Sequence, residues 1–501
     1  MAGDVGALRA PSRFEAPRGG SGPDARRLAR GYLLLGGGEL LAKLLTFTAF
    51  VALGRALGPE RYGSLEFVLA VMVFFTLPAD LGLGAYGARE VARRPGAAAL
   101  LLQQISELRL LLAGVSFAAL LAVTALVPAP DEVRLLLVLY GVSLFAAPAL
   151  LQWLFQGQGL MQWVAAASIT RQAVFAGLIL VLVRPGVSIV AVGLVEIASV
   201  AATAAVCVTV ARLRLGVRVP APRLRPAGLA RHLREAAPIG LSEIAWAGLW
   251  YLATVLLGLL VAGPALGWFG ASHRIVMALH TFVWLYFVNL LPWIARGVEA
   301  PREQLVRLIQ GSLLPATWCS LFVALVTTVL ARDLLTLAYG PAFADAGRTL
   351  GLLVWMVPLA MLSGHFRYTL IAYDLQRLEL ASTLAAGLVA AVLGLLLIPR
   401  FAGRGAAAAL LCGSAVNGLL AYAWTRSRVA RIRLGGRVAK PLVAATAALA
   451  LFAALGRLEA WQGALAAVAS YVLILAAWQR SELPALRALL PGKAPWRGGA
   501  Q

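Results

Sequence analysis

The sequence predicts an all-α polytopic membrane protein with about fourteen transmembrane helices, arranged as two pseudo-symmetric six-helix halves plus two C-terminal helices. Three observations predict it. The chain is 61% hydrophobic with a mean hydropathy of +0.83, and its apolar residues lie in long uninterrupted runs. Its 44 Lys+Arg, set against 22 Asp+Glu, crowd into every second gap between those runs. A long basic connection at 212–236 separates six spans from a similar second set.

A hydrocarbon core of about 30 Å needs roughly 20 helical residues to cross. Runs of that length occur at 31–54, 65–88, 108–127, 134–155, 161–183 and 187–211 in the first half. The second half offers 237–262, 268–295, 308–330, 349–373, 378–398 and 405–425. Two more follow at 441–456 and 461–478, the former being short. Nothing alternates with the two-residue period of a transmembrane β-barrel. The predicted organisation is a disordered basic tail at 1–30, a lobe at 31–211, a basic linker at 212–236, a lobe at 237–428, two further helices at 429–480 and a tail at 481–501. The first thirty residues hold no apolar core and do not read as a secretory signal.

Placing the N-terminus inside leaves thirty basic residues in inside segments and nine in outside ones, with five within spans. That bias predicts cytoplasmic termini and an even number of spans. The net charge of +22 lies in short loops beside apolar runs. Anionic membrane lipids are therefore the expected partners of these loops, and nucleic acid is not expected. The three cysteines, Cys207, Cys319 and Cys412, all fall in spans and read as packing residues.

The halves echo each other. Glu39 precedes Gly58-Pro59 and Tyr62-Gly63 in the first, and Glu243 precedes Gly263-Pro264 and Trp268-Phe269-Gly270 in the second. Such duplication is a common transporter plan, with the substrate path between the repeats. Gly-Pro turns beside aromatic belts also recur in unrelated membrane proteins.

Charges inside the bilayer are costly and usually face a partner or a wet cavity. Glu39 and Lys43 lie four apart on one helical face, as a pair or as separate functional groups. Asp80 follows Pro78. Arg171 and Glu196, at similar depth on consecutive helices, are a candidate charge pair. Arg109, near a span end, is expected to snorkel. Arg274 and Arg367 have no sequence-local partner, and their planar forks suit an anionic substrate such as phosphate. His273 and His365 lie beside them as titratable or interface residues. Pro78, Pro148, Pro292 and Pro358 are expected to break or kink helices. The sequence carries no phosphate-binding GxxxxGK[ST] loop, no HExxH and no Gly-x-Ser-x-Gly elbow. It therefore predicts no enzyme and no cofactor, so uphill transport would draw on an ion gradient, a membrane potential or the substrate's own gradient, with H⁺ or Na⁺ as the candidate coupling ions. Glu39, Asp80 and Glu243 are the candidates to carry that ion.

Five stretches, taken in order, resemble the bacterial polysaccharide flippase family of the multidrug/oligosaccharidyl-lipid/polysaccharide exporter superfamily. They are Arg55-Ala-Leu-Gly-Pro-Glu-Arg-Tyr-Gly-Ser-Leu-Glu-Phe67, Asp80-Leu-Gly-Leu-Gly84 with Arg89-Glu90, Trp153-Leu-Phe-Gln-Gly157, Tyr339-Gly340 with Phe343 and Ala346, and Pro399-Arg-Phe-Ala-Gly-Arg-Gly-Ala406. They cover residues 31 to about 425. The resemblance implies a V-shaped pair of six-helix lobes around a central cavity open alternately to each side. It implies export of an undecaprenyl-pyrophosphate-linked oligosaccharide across the inner membrane, with a polysaccharide polymerase or glycosyltransferases as neighbours. It places basic cavity residues on the first, second, seventh and eighth helices. Lys43 and Arg274 match by helix, Arg367 and His273 add to the candidate pyrophosphate and glycan site, and the second helix offers Asp80 rather than a base. The rival readings are a lipid II flippase, a cation-coupled drug exporter and, from another class, a membrane glycan ligase or polymerase. The short outside loops argue against the last.

Overall fold

The computed structural model describes residues 23–127, 129–216, 229–261, 263–298, 301–455 and 460–479. Much of the expected N-terminal tail, the middle of the 212–236 linker and the expected C-terminal tail lie outside these residues. Among the described residues the chain is helical throughout, with twelve continuous apolar segments long enough to cross a membrane.

Two of the twelve fold back on themselves. Helix α1 (Pro23–Asp80) would be about 87 Å long if straight. It breaks at Gly58, whose φ of 70° and ψ of 171° lie outside the helical region. Phe50 and Glu66, about 24 Å apart along a straight helix, both contact Arg274. The limbs before and after Gly58 therefore run antiparallel. Helix α14 (Gln376–Arg428) breaks likewise at Ala402, with φ of 47°. A Cβ on Gly413 would lie 2.7 Å from the Ala386 carbonyl, so its limbs also pack side by side. Counting both hairpins gives fourteen crossings, and the chain is a multi-pass membrane protein.

Helix α1 begins at Pro23, eight residues before the expected first span. Its second limb ends at a corner formed by Leu81 (φ 42°) and Gly82 (φ 76°), three residues after Pro78. The first lobe continues with α2 (Leu83–Arg93), α3 (Ala98–Leu126) and α4 (Asp131–Val142). A 3-10 segment carrying Pro148 then leads to α5 (Gln152–Gly157), α6 (Met161–Leu182) and α7 (Val190–Leu215). The fourth expected span is thus a broken helix, because Pro148 cannot donate to the α-helical ladder.

The second lobe holds α8 (Leu229–Leu260), α9 (Ala265–Arg296), α10 (Arg302–Val329), α11 (Ala331–Tyr339), α12 (Gly347–Leu353), α13 (Met356–Ala372) and α14. The last two helices, α15 (Gly435–Ala454) and α16 (Ala460–Gln479), pack on α10. There Tyr471 donates to the Trp318 carbonyl at 2.9 Å. An apolar cavity of about 450 Å³ opens between these three helices. All three cysteines are free, Cys207 buried and the other two exposed.

The two lobes meet at their Gly-Pro corners. Gly63, just past Gly58-Pro59, lies against Gly267, just past Gly263-Pro264. A Cβ on Gly63 would come within 2.7 Å of the Gly267 nitrogen, and one on Gly267 would be driven into the Pro59 carbonyl. Overpacking of this kind costs about 1–3 kcal/mol. Gly267→Ala is therefore expected to lower the melting temperature of the purified protein and to loosen this end, read as faster labelling of a cysteine placed at Ser64. Unchanged melting and labelling would mean that the crossing is not tight.

Away from this end, the first limb of α1 and helix α9 take separate partners. Thr46 donates to Gln172 of α6 at 2.8 Å, whereas Phe287 stacks on Tyr368 of α13 at 4.9 Å. Both stretches expose apolar side chains, including Leu40, Leu44, Phe282 and Trp284. The second limb stays attached to α8, where the Leu81-Gly82 corner fits against Gly240. Beside it, the Tyr86 hydroxyl meets His232 Nδ1 at 2.7 Å, and His232 Nε2 meets Gln104 Oε1 at 2.9 Å.

Candidate functional site

Intramembrane arginines are brought together with acids from other helices. Arg274 of α9 grips Glu66 of the second α1 limb with both arms of its fork, Nε to Oε1 and Nη2 to Oε2, the latter at 3.2 Å. Its guanidinium lies 3.1 Å from the centre of the Phe50 ring. One partner comes from each lobe, so this ion pair ties the lobes together. The rings of Tyr62, Tyr339 and Phe343 pack beside it with centroids 5.2–5.8 Å apart, Tyr62 meeting the other two in T-shaped contacts. Arg55 reaches across to the carbonyls of Leu337 and Ala338. The Gly-Pro corners, this aromatic cluster and the ion pair together close one end of the molecule.

The other expected substrate arginine, Arg367 of α13, binds Glu379 at the start of α14, with Nε to Oε1 at 2.9 Å. Neither arginine is free, and both partners lie outside its local sequence. Arg109 does not snorkel. It is 7% exposed, pairs with Asp80, and donates to the Leu150 carbonyl at 3.1 Å. Arg171 and Glu196 form an ion pair with a buried carboxylate. His273 is buried against Phe269 and Tyr251, and His365 is fixed by the Met361 carbonyl and the Tyr286 hydroxyl.

Lys43 is different. It stands exposed on the first limb of α1, and no ion pair among the described residues joins it to Glu39, which is half-buried. Glu243 is exposed on α8, one turn beyond the Gly240 contact that brings the Asp80 corner near it.

A cavity of about 640 Å³ lies within the first lobe, bounded by the second α1 limb and by α2 to α7. Both the Asp80–Arg109 and Arg171–Glu196 pairs line it. Arg109 is buried and the Asp80 side chain a third exposed, so losing the carboxylate leaves an uncompensated charge at a cost at or below the lower end of the about 3–5 kcal/mol typical of a buried pair. Asp80→Asn should therefore destabilise the purified protein strongly in thermal unfolding. Asp80→Asn with Arg109→Met should recover most of the loss. A single substitution that melts like the parent would show that Arg109 is otherwise solvated.

Sequence reasoning missed Glu66 and Glu379 as partners, although Glu66 is one of the two acids in the motif ending at Phe67. The available signal was an unexplained carboxylate in each of two apolar spans.

Residues 28–298 match the polysaccharide biosynthesis protein family. No curated protein matches the sequence. Among solved structures, the chain is similar to the lipid II flippase MurJ in an inward closed conformation. The TM-score is 0.69 at 10% identity, over 90% of this chain and 100% of that one. An inward-facing multidrug resistance MATE family transporter of the MOP superfamily gives 0.64 at 16% identity, over 78% and 94%. A MOP superfamily transporter from Pyrococcus furiosus gives 0.56 at 16% identity, over 80% and 94%. Identities this low establish a shared fold, and the proteins that share it are transporters and flippases rather than enzymes. The family match spans more than half of the sequence, and the chain belongs to the polysaccharide biosynthesis protein family, built on the MOP-superfamily transporter fold.

Proposed function

We propose that this protein is a flippase that carries an undecaprenyl-pyrophosphate-linked oligosaccharide across the bacterial inner membrane by alternating access, with both termini in the cytoplasm. The observation that carries the reading is the Glu66–Arg274 pair, because a single cation serves both as a lobe-to-lobe tie and as a ligand for phosphate. In this reading the Gly58 end faces the periplasm and is closed. The cargo enters between the first limb of α1 and the distal half of α9, where Lys43 is exposed and has no ion-pair partner among the described residues. Its polyprenyl tail stays in lipid. The pyrophosphate meets Lys43 first and then competes with the Glu66 carboxylate for the Arg274 fork. Release of Glu66 frees the outer end to open, so that opening depends on cargo.

Arg367 is held by Glu379 and joins the phosphate path only if that pair breaks, and buried His273 contributes packing to the wall. For coupling to H⁺ or Na⁺, Asp80 is already neutralised by Arg109. Glu243 and Glu39, with no ion-pair partner among the described residues, are the better carriers. The family match supports polysaccharide rather than drug export. A lipid II flippase remains the second reading, favoured by the full coverage of that structure by this fold.

Deleting the gene and measuring undecaprenyl-linked oligosaccharide in each leaflet tests the assignment. The expected result is complete repeat units held on the cytoplasmic leaflet, with loss of surface polysaccharide and no change in lipid II. Normal sidedness with unpolymerised or unattached glycan outside would point to a ligase or polymerase instead.

A further inference from the structure

We infer that the first-lobe cavity is the glycan subsite of the transporter, holding uncharged sugar of the cargo, while the pyrophosphate is held elsewhere; this rests on the flippase reading. The cavity's 640 Å³ is within the range of small-ligand pockets, roughly 300–1,000 Å³. Its charge is balanced. Arg109 and Arg171 face Asp80 and Glu196, so a phosphate entering here would meet two carboxylates, and a cationic drug would meet two guanidinium groups. Each Arg–carboxylate pair presents donors and acceptors side by side, which is the complement of neighbouring hydroxyls on a pyranose ring. The carboxamides of Gln152 and Gln156 and the hydroxyl of Ser143 add groups of both kinds. The indole of Trp153 completes the wall.

Two buried groups in this lining lack partners among the described residues. Tyr140 is 5% exposed, and its hydroxyl makes no hydrogen bond. The Nε of Arg109 is also unpaired, although its other nitrogens are engaged. A protein gains nothing in stability from such groups. Neither atom is open to solvent in this conformation, so a bound hydroxyl would satisfy either one after a small shift of the lining side chains. A site built from hydrogen-bonding groups rejects analogues that lack the matching hydroxyl, so this cavity would select which glycan is exported.

The test uses Tyr140→Phe, which removes one oxygen and keeps the ring. A purely structural role predicts equal or higher thermal stability and unchanged transport. The full-length protein is reconstituted in liposomes with two probes: undecaprenyl pyrophosphate bearing the complete oligosaccharide, and the same lipid bearing one sugar. The subsite predicts that the variant slows the complete cargo about tenfold, leaves the single-sugar lipid within twofold, and melts no lower than the parent. Equal rates for both lipids in variant and parent, or equal slowing of both, would overturn the subsite and leave the flippase reading standing. A parent protein that moves neither lipid would overturn the flippase reading and the subsite with it. A benzophenone side chain at Gln156 gives an independent readout, with a sugar-bearing adduct expected under light. Capture of the glycan lipid from Lys43 but not from Gln156 would also overturn the subsite.

Discussion

Replacing Glu66 with Gln is expected to open the closed end of the molecule. Glu66 is 6% exposed and both its oxygens are engaged by Arg274, so the substitution leaves a guanidinium against the Phe50 ring without its counter-charge. Breaking a buried pair costs about 3–5 kcal/mol. About a fifth of the Arg274 side chain is exposed, which places the cost at or below the lower end of that range. A loss of about 3 kcal/mol is roughly a hundredfold change in the closed-to-open ratio. A cysteine at Ser64 should then be labelled far faster from the outside. Reversing the pair, with Glu66→Arg and Arg274→Glu, should restore slow labelling, because the same lobes are tied by the opposite arrangement. Labelling of Glu66→Gln as slow as that of the parent would show that the aromatic cluster and glycine crossing, not the charges, close this end.

Neutralising Lys43 is expected to have the opposite profile, a large functional effect with almost no structural one. Its side chain is exposed and joins no ion pair among the described residues, and exposed substitutions of this kind usually change stability by less than about 0.5 kcal/mol. A hydrogen bond to a charged group contributes about 1.5–3 kcal/mol. Lys43→Gln should therefore slow export of the lipid-linked glycan about ten- to a hundredfold while the protein melts like the parent. Lys43→Arg should retain most of the rate, since the charge is kept. Export within twofold of the parent in Lys43→Gln would remove Lys43 from the cargo path.

The helices were legible because crossing a bilayer imposes length and hydropathy on each of them. Gly58-Pro59 also marks the hairpin in α1, since glycine tolerates the positive φ required there. The break at Ala402 falls between the spans expected at 378–398 and 405–425, although an alanine at positive φ follows no local rule. The short helices around Pro148 and Pro341 escape a reading by span length, since an apolar run looks the same whether or not its ladder is interrupted. The charged residues show the sharper limit. Arg171 and Glu196 lie on consecutive helices at similar depth, so sequence spacing alone suggests their contact. Arg274 and Glu66 are separated by 208 residues and meet only because the two lobes pack corner to corner. An arginine without a local partner therefore looked free when it was bound. Arg109 was misjudged for the same reason, since its distance from the span end says nothing about the carboxylate waiting on α1.

The measurement that bears most directly on alternating access uses the closed end itself. The rings of Tyr62 and Tyr339 are 5.7 Å apart across the lobes. In a protein with its three native cysteines replaced, Tyr62→Cys with Tyr339→Cys is joined there reversibly, by a disulfide formed directly or through a short reducible dithiol linker. Movement of undecaprenyl-pyrophosphate-linked oligosaccharide is then followed in proteoliposomes before oxidation, after oxidation and after reduction. The expected result is transport that stops when the lobes are linked and returns when the link is reduced. Transport that continues at the same rate with the link complete would contradict a mechanism in which this end must open.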